Sequence, residues 1–523
     1  MRVLVAEPLA DEGVQLLREE HEVDVCTDLT RDQFLAALPD YDALVVRSQV
    51  KVDAEAFAAG TKLVVVGRAG VGVDNIDLDA ATRAGVAVVN APTANTIAAA
   101  EHTLALIYAL ARRIASADAS VRRGEWRRAA FMGQELRGRT LGVVGLGKIG
   151  LAVAERSRAM EMELLGFDPY VSREAAAQRG ITIADIDDLV ERSDVITLHV
   201  PLTPSTRGLI GAPQLARMKP TALLVNVARG GLIDEAALAE ALHAGRIGGA
   251  AVDVFEKEPP VGSPLLDAPN TVLTPHLGAS TEEAQTKVAH EVVSQMLDLL
   301  AGRTARYVVN APLVAAESAD ALTPYLPLAR TLGQLYAQFA RSLDGLTLRL
   351  SGEIAEHDSA PISAALLAGL LETSTDIRIT SVNAPMIARE RGLKLTETRS
   401  QDAGRFSSLV TLSGSGSGAA TVSGTVAGAD GRLVQLDDFW IDMPPSPWML
   451  VTRHRDLPGT MGRIGLMLGE ADVNISAMHL GRSQPRGDAL MVLALDDKVP
   501  AEVADRIRTH EAVLDLWLIH LPR

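Results

Sequence analysis

Ten residues, Leu141 to Gly150 (LGVVGLGKIG), restrict the fold more than any other stretch of the chain. An apolar, β-rich run, Leu141 to Val144, enters Gly145-x-Gly147-x-x-Gly150 directly, and a helical pattern opens behind it. Gly145 permits the tight turn, and Gly147 lets the backbone approach a pyrophosphate. Gly150 lets the new helix pack close to its strand, with free N–H groups facing the phosphates. About 18 residues on, the strand-like run Met162 to Tyr170 carries Asp168 at its carboxyl end. A carboxylate there accepts hydrogen bonds from the ribose hydroxyls and repels a 2′-phosphate, which favours NAD over NADP. Strand, turn, helix, strand and acid in register predict a dinucleotide-binding unit.

One such unit cannot account for 523 residues, a length that predicts about three to four domains. With 47% hydrophobic residues there is apolar material for several cores. A net charge of −16 argues against a nucleic-acid partner. The single cysteine, Cys26, excludes an intramolecular disulfide and a cysteine-based zinc site, and fits a reducing compartment. The N-terminus places acids where a signal peptide needs its apolar stretch, and no run approaches 18 uninterrupted apolar residues. A soluble, cytoplasmic protein without a membrane partner is expected.

Residues 1–97 alternate buried-strand runs (RVLVA, HEVDVC, DALVVRSQ, KLVVVGRAG, VAVVN) with helical patterns, which implies a parallel open sheet. Its strand ends carry Arg47, Ser48 and the glycine-rich turn of Gly70, Val71 and Gly72. Backbone N–H groups with an arginine suit a carboxylate or phosphate, while a structural turn with a solvated arginine is the alternative. Residues 98–122 form one long helical pattern, followed by Trp126 among Arg122, Arg123, Arg127 and Arg128. That basic turn suits a subunit interface or an anionic substrate, or is simply solvated. Alternation resumes after Asp168 and completes a doubly wound domain over 98–283. Residues 284–313 are expected to return to the first domain, making it 1–97 plus 284–313. Residues 314–443 turn helical, then rich in Ser, Thr and Gly, as in an α+β domain. The prolines of Met443 to Trp448 suggest a stiff linker, and 444–523 run βαββαβ.

Three polar residues follow apolar strands in the second half of the nucleotide domain: Arg229 after LLVNVA, Glu258 after AVDVFEK and His276 after VLTP. All three are thereby expected on one sheet edge, beside the nicotinamide end of a cofactor. Their chemistry suits a 2-hydroxy acid. An arginine holds carboxylate and carbonyl oxygens, a histidine exchanges the hydroxyl proton, and a carboxylate orients the imidazole. Singly, each also reads as an ordinary turn or helix-start residue.

Together GRAGVGVDNID, GLGKIG, HVPLTPSTRGLI, NVARGGLIDEAAL, DVFEKEPP and TPHLGAST resemble the D-isomer-specific 2-hydroxyacid dehydrogenase family over residues 1–311. HRDLPGTMGRIGLMLGEADVNIS resembles an ACT domain, and an intervening domain before it is similar to the long, phosphoglycerate-oxidising branch of that family. The resemblance implies a Rossmann domain beside a flavodoxin-like one, an α+β intervening domain and the ACT domain. It makes Arg229, Glu258 and His276 catalytic. Cofactor contacts are implied at Gly145, Gly147, Lys148, Ile149, Gly150 and Asp168, at Val227, Ala228, Arg229 and Asp253, and from His276 through Leu277 and Gly278 to Ala279. Substrate contacts are implied at Arg47, Ser48, Gly70, Val71 and Gly72. The implied reaction is NAD-dependent oxidation of D-3-phosphoglycerate to 3-phosphohydroxypyruvate, at the entry to serine synthesis, in a homo-oligomer (dimer or tetramer). L-serine is the implied effector, held between subunits at Asp456 and Asn474. His454 stands where some relatives carry another ring residue. The alternatives are a dehydrogenase for another D-2-hydroxy acid, such as glyoxylate or D-lactate, and an NAD-sensing regulator without turnover.

Overall fold

The computed structural model describes every residue except 313, 315–317, 376, 429, 522 and 523. The expected domain limit at 313 and the last two residues of the chain therefore lie outside the described residues. The molecule is α/β in its first three hundred residues and α+β beyond. Two parallel sheets come first. In the five-stranded sheet the order is Glu22–Val25, Arg2–Val5, Ala43–Val46, Val65–Arg68, Ala87–Asn90, every pairing parallel. In the seven-stranded sheet the order is Thr271–Leu273, Gly249–Val252, Leu223–Asn226, Val195–Leu198, Thr140–Val144, Glu163–Phe167, Thr182–Ile183. Their central strands are buried throughout, because helices cover both faces, and so they read as unbroken apolar runs rather than alternating ones.

The chain crosses between these lobes twice. Asn90 leads out of the first sheet into the helix Thr96–Ala111. The stretch after Leu273 leads back into the helix Glu282–Leu300, whose Val288, Val292, Val293 and Met296 are buried against the first sheet. Burying each of these side chains stabilises the packing by roughly 1.5–3 kcal/mol, so the returning helix belongs to the first lobe. Thr93 ties the two crossings together by donating to both carboxylate oxygens of Glu291, at 2.8 and 2.9 Å.

Two expectations change. The helical pattern over 98–122 is two helices, Thr96–Ala111 and Ile114–Arg122, broken at Arg113, which adopts φ 53°. Gln134 donates its N–H to the carbonyl of Ala111 there, taking the acceptor a continuing helix would need. The proline-rich stretch after Met443 is not a spacer. The strand Trp448–Arg455 starts at once, and Met449, Val451, Leu490, Val492 and Ile519 share one core with Leu332, Tyr336, Leu348 and Phe439. One face of the C-terminal sheet (order Ile475–Arg482, Asp488–Leu495, Trp448–Arg455, Val513–His520) is thus buried on the preceding six-stranded domain. Its own two helices cover the other face.

The intervening domain also touches the first lobe. Arg378 donates to the carbonyl of Leu63 at 2.7 Å and Thr380 to that of Gly85 at 3.2 Å, both just ahead of strands of the first sheet. Among the described residues no helix is long and apolar enough to cross a membrane.

Candidate active site

The glycine turn has the geometry its sequence requires. Gly145 sits at φ 95°, and a Cβ on it would stand 2.5 Å from the carbonyl oxygen of His199. A Cβ on Gly150 would stand 2.0 Å from the carbonyl of Gly145, so the helix Lys148–Ala159 meets its strand there at the closest approach the backbone allows. Gly147 faces open space, the room a pyrophosphate would fill above the N–H groups of Lys148 and Ile149. Asp168 accepts the N–H of Leu146 at 2.9 Å and that of Tyr170 at 2.9 Å, which fixes its carboxylate beside the turn. These residues fit a dinucleotide. Lys148 also points its ammonium over the ring of Tyr307 from the first lobe, 5.6 Å from the centroid.

Three adjacent strands, Leu223–Asn226, Gly249–Val252 and Thr271–Leu273, deliver the polar residues to one edge. His276 Nδ1 lies 2.8 Å from Glu258 Oε2, and Glu258 Oε1 accepts the N–H of Phe255 at 3.1 Å. Burial by itself would raise the Glu258 carboxyl, but the His276 hydrogen bond and charge and the Phe255 N–H outweigh it and hold the group below its ordinary value. Its carboxylate therefore keeps its charge as pH falls toward the usual glutamate range, and its support for the imidazole is lost only through the lowered value.

His276 itself adopts φ 57°, a left-handed conformation that costs a non-glycine residue energy and persists only where surroundings enforce it. The enforcement comes from Asp253, which is fully buried. Its backbone carbonyl accepts the N–H of His276 at 2.8 Å. Its carboxylate accepts the Thr274 hydroxyl at 2.6 Å, the Leu277 N–H at 2.8 Å and the Gly278 N–H at 2.9 Å. His102 Nε2, from the helix Thr96–Ala111, lies 3.2 Å from the same carboxylate. Burial would raise this group as well, yet the bonds from His102, Thr274 and Leu277 prevail and lower it. Asp253 thus anchors the loop that carries His276. Across that loop, a Cβ on Gly278 would stand 3.0 Å from a methyl of Val227, and Ala279 accepts the side-chain amide of Gln285 at 2.7 Å.

Arg229 reaches from this edge toward the first lobe. Its Nε donates to Asp74 at 3.0 Å, its Nη1 donates to the carbonyl of Ala228 at 2.6 Å, and a Cβ on Gly72 would stand only 1.9 Å from its Nη2. The absent side chain at Gly72 is what lets the guanidinium bridge the lobes. Arg229, Glu258 and His276 face Arg47, Ser48, Gly70, Val71 and Gly72 across one cleft of 590 Å³.

Gln49, Asn95, Ser280 and Gln285 are polar residues of this cleft that the sequence did not single out, and Arg68, which opens the Gly70 turn, lines it as well. Arg68 ends the strand Val65–Arg68, so the rule that found Arg229 also identifies it. Burial, and then the charge of Arg229, push its guanidinium down to about 10, and its Nε has no partner among the described residues. The side-chain oxygen of Asn95, at the start of the helix Thr96–Ala111, is likewise buried without a partner. Buried polar atoms without partners, beside three guanidiniums, favour an anionic ligand. Arg127 and Arg128 do not line the cleft of their own chain, and Arg127 pairs with Glu125.

The implied effector residues lie apart. Asp456 follows the strand Trp448–Arg455, accepting from Arg482 at 3.3 Å and from the N–H of Arg486 at 3.1 Å. Asn474 precedes Ile475–Arg482 and donates to Asp496 at 2.6 Å. The two stand at opposite ends of the strand Asp488–Leu495, so one chain alone cannot bring them together.

The family model of the D-isomer-specific 2-hydroxyacid dehydrogenase NAD-binding domain matches residues 104–278, and that of the D-3-phosphoglycerate dehydrogenase intervening domain matches 321–437. The D-3-phosphoglycerate dehydrogenase of a Synechocystis species is 45% identical, over 99% of this chain and 95% of its own. That of Archaeoglobus fulgidus is 41% identical and that of Bacillus subtilis 39%, each over the whole of both chains. Among solved structures, the TT0316 protein of Thermus thermophilus (36% identity, TM-score 0.56) is covered whole by 59% of this chain. A D-lactate dehydrogenase of Aquifex aeolicus, complexed with NAD and lactic acid (28%, TM-score 0.53), is covered to 96% by 58% of it.

Proposed function

The chain belongs to the D-3-phosphoglycerate dehydrogenase family, and from that premise we propose how its cleft carries out the NAD-dependent oxidation of D-3-phosphoglycerate. Gly145, Gly147, Lys148, Ile149, Gly150 and Asp168 hold the adenosine and pyrophosphate portion. Val227, Ala228 and the stretch from His276 to Ala279 flank the nicotinamide, which when bound accepts the hydride from C2. Arg229 holds the substrate carboxylate and C2 oxygen in its planar fork. His276 takes the C2 hydroxyl proton, and Glu258 fixes the imidazole and balances the charge it gains. Arg47 and Arg68 with Asn95 receive the phosphate. The observation that carries this reading is the 2.8 Å contact of His276 with Glu258 in a cleft lined by three guanidiniums. Reduction of 3-phosphohydroxypyruvate by NADH tests it. Turnover is expected to exceed that with glyoxylate or pyruvate, and a preference for either of those overturns the substrate assignment.

Trp126 is 79% exposed, and an apolar hollow lined by Phe255, Pro260, Leu266 and Leu273 adjoins Glu258 and His276. A second copy that seats Trp126 in this hollow brings Arg127 and Arg128 to the neighbouring cleft. L-serine binds where Asp456 of one copy meets Asn474 of another. Calorimetry is expected to show serine binding that Asp456→Ala with Asn474→Ala removes. Binding that survives both changes places the effector elsewhere.

A further inference from the structure

Glu7 follows the strand Arg2–Val5 and is only 5% exposed. Its carboxylate accepts four successive backbone N–H groups. Oε2 takes those of Arg47 at 2.7 Å and Val50 at 3.1 Å, and Oε1 takes those of Ser48 at 3.2 Å and Gln49 at 3.0 Å. Residues 47–50 belong to no helix or strand, so these donors have no ladder to satisfy them. Asn75 secures the far side of the loop by donating to the carbonyl of Val50 at 2.7 Å. Among the described residues Glu7 has no cationic side chain within ion-pair distance, so backbone dipoles meet its charge. Four amides converging on one anion form a concave site of the kind that holds phosphates in other proteins. Here the protein's own buried carboxylate fills it. With the N–H groups turned inward, Arg47, Ser48 and Gln49 line the cleft, which Glu7 itself does not reach.

We propose that Glu7 is a positioning residue: it sets the loop that aims Arg47 into the cleft, and so governs the preference for a phosphate-bearing acid. This rests on the reading of Arg47 as a phosphate contact. A purely electrostatic role has the opposite sign. A negative charge near Arg47 and Arg68 weakens anion binding, so removing it would tighten the substrate. Glu7→Gln instead leaves two of the four N–H groups facing an NH2 rather than an acceptor, which frees the loop and weakens binding of the phosphate alone.

The test compares Glu7→Gln, Glu7→Asp and Arg47→Ala in the full chain, with NADH and either 3-phosphohydroxypyruvate or unphosphorylated hydroxypyruvate. Glu7→Gln is expected to raise KM for the phosphorylated substrate about tenfold, the equivalent of one weakened charge-assisted contact. Its kcat, its KM for hydroxypyruvate and its NADH affinity are expected to stay within about threefold of the parent enzyme, inside that one-contact scale. Glu7→Asp, which keeps the charge but withdraws it by one methylene, falls between, and serves alone if Glu7→Gln does not fold. An unchanged or lowered KM, or an equal loss on both substrates, overturns the inference. If Arg47→Ala leaves KM unchanged, the phosphate reading itself fails. If Arg47→Ala raises KM and the Glu7 variants do not, only the role of Glu7 falls.

Discussion

At the scale of single residues, the proposed chemistry centres on the pair of His276 and Glu258. His276→Ala is expected to lower kcat by roughly 10²–10⁴, the usual worth of a positioned proton-transfer group. Stopped-flow titration should find NADH affinity within a few-fold of the parent enzyme. Turnover retained at the parent rate removes histidine as the base. A second histidine gives a pH prediction. His454 is buried, with Thr452 and Asp456 near it, and burial prevails to hold it below its ordinary value. A lowered folded-state value means that the stability it contributes is whole above about pH 6.5 and is lost as pH falls through that lower value. The joint melting of the two C-terminal domains should move to lower temperature between pH 7 and pH 5, and His454→Gln should flatten the dependence. A parent melting curve indifferent to pH in this range contradicts it. Arg229, Glu258 and His276 were legible as one edge of the cleft because each lies in the loop that follows an apolar strand. Asn95 and Gln285 were not. One starts a helix and the other lies inside one, and only the folding of two lobes against each other brings them to the same cleft.

Among elements, the glycine turn separates roles that its sequence pattern presents together. Gly150→Ala places a methyl 2.0 Å from a backbone oxygen, so it should destabilise the fold, by about 1–3 kcal/mol as overpacking generally does. Gly147→Ala meets nothing within 4 Å, so it should melt like the parent while raising the dissociation constant for NADH. Equal melting of both variants by calorimetry contradicts the first statement, and unchanged NADH affinity of Gly147→Ala contradicts the second. The parallel sheets were readable from alternation of apolar runs with helices. The break at Arg113 was not, because no glycine or proline marks it. It depends on Gln134, well beyond it in the chain, competing for the carbonyl of Ala111.

For the whole molecule, the sequence divides the C-terminal half at a proline-rich stretch, whereas packing joins it. Met449 lies in one core with Tyr336 and Leu348, so Met449→Ala should destabilise both C-terminal domains together, by about 2–5 kcal/mol. Denaturant titration should show their transition shifting while NADH binding by the first two lobes persists to its original midpoint. Separate transitions for the two C-terminal domains contradict a shared core. The merger escaped sequence reading because both faces of the C-terminal sheet are apolar, and nothing local says which of them a neighbour covers.

The docking of the intervening domain ahead of Val65–Arg68 and Ala87–Asn90 carries a mechanical consequence. Each of those strands spans about 13 Å. Arg378 and Thr380 grip the chain entering them, while Arg68 and the turn around Gly70 leave the first of them at the cleft. A four-residue strand inside a hydrogen-bonded sheet transmits displacement as a stiff rod does, with little slack between its ends. If filling the cleft shifts these strands, the coupling is reciprocal, and a change in the grip of Arg378 and Thr380 alters affinity at the cleft by the same free energy.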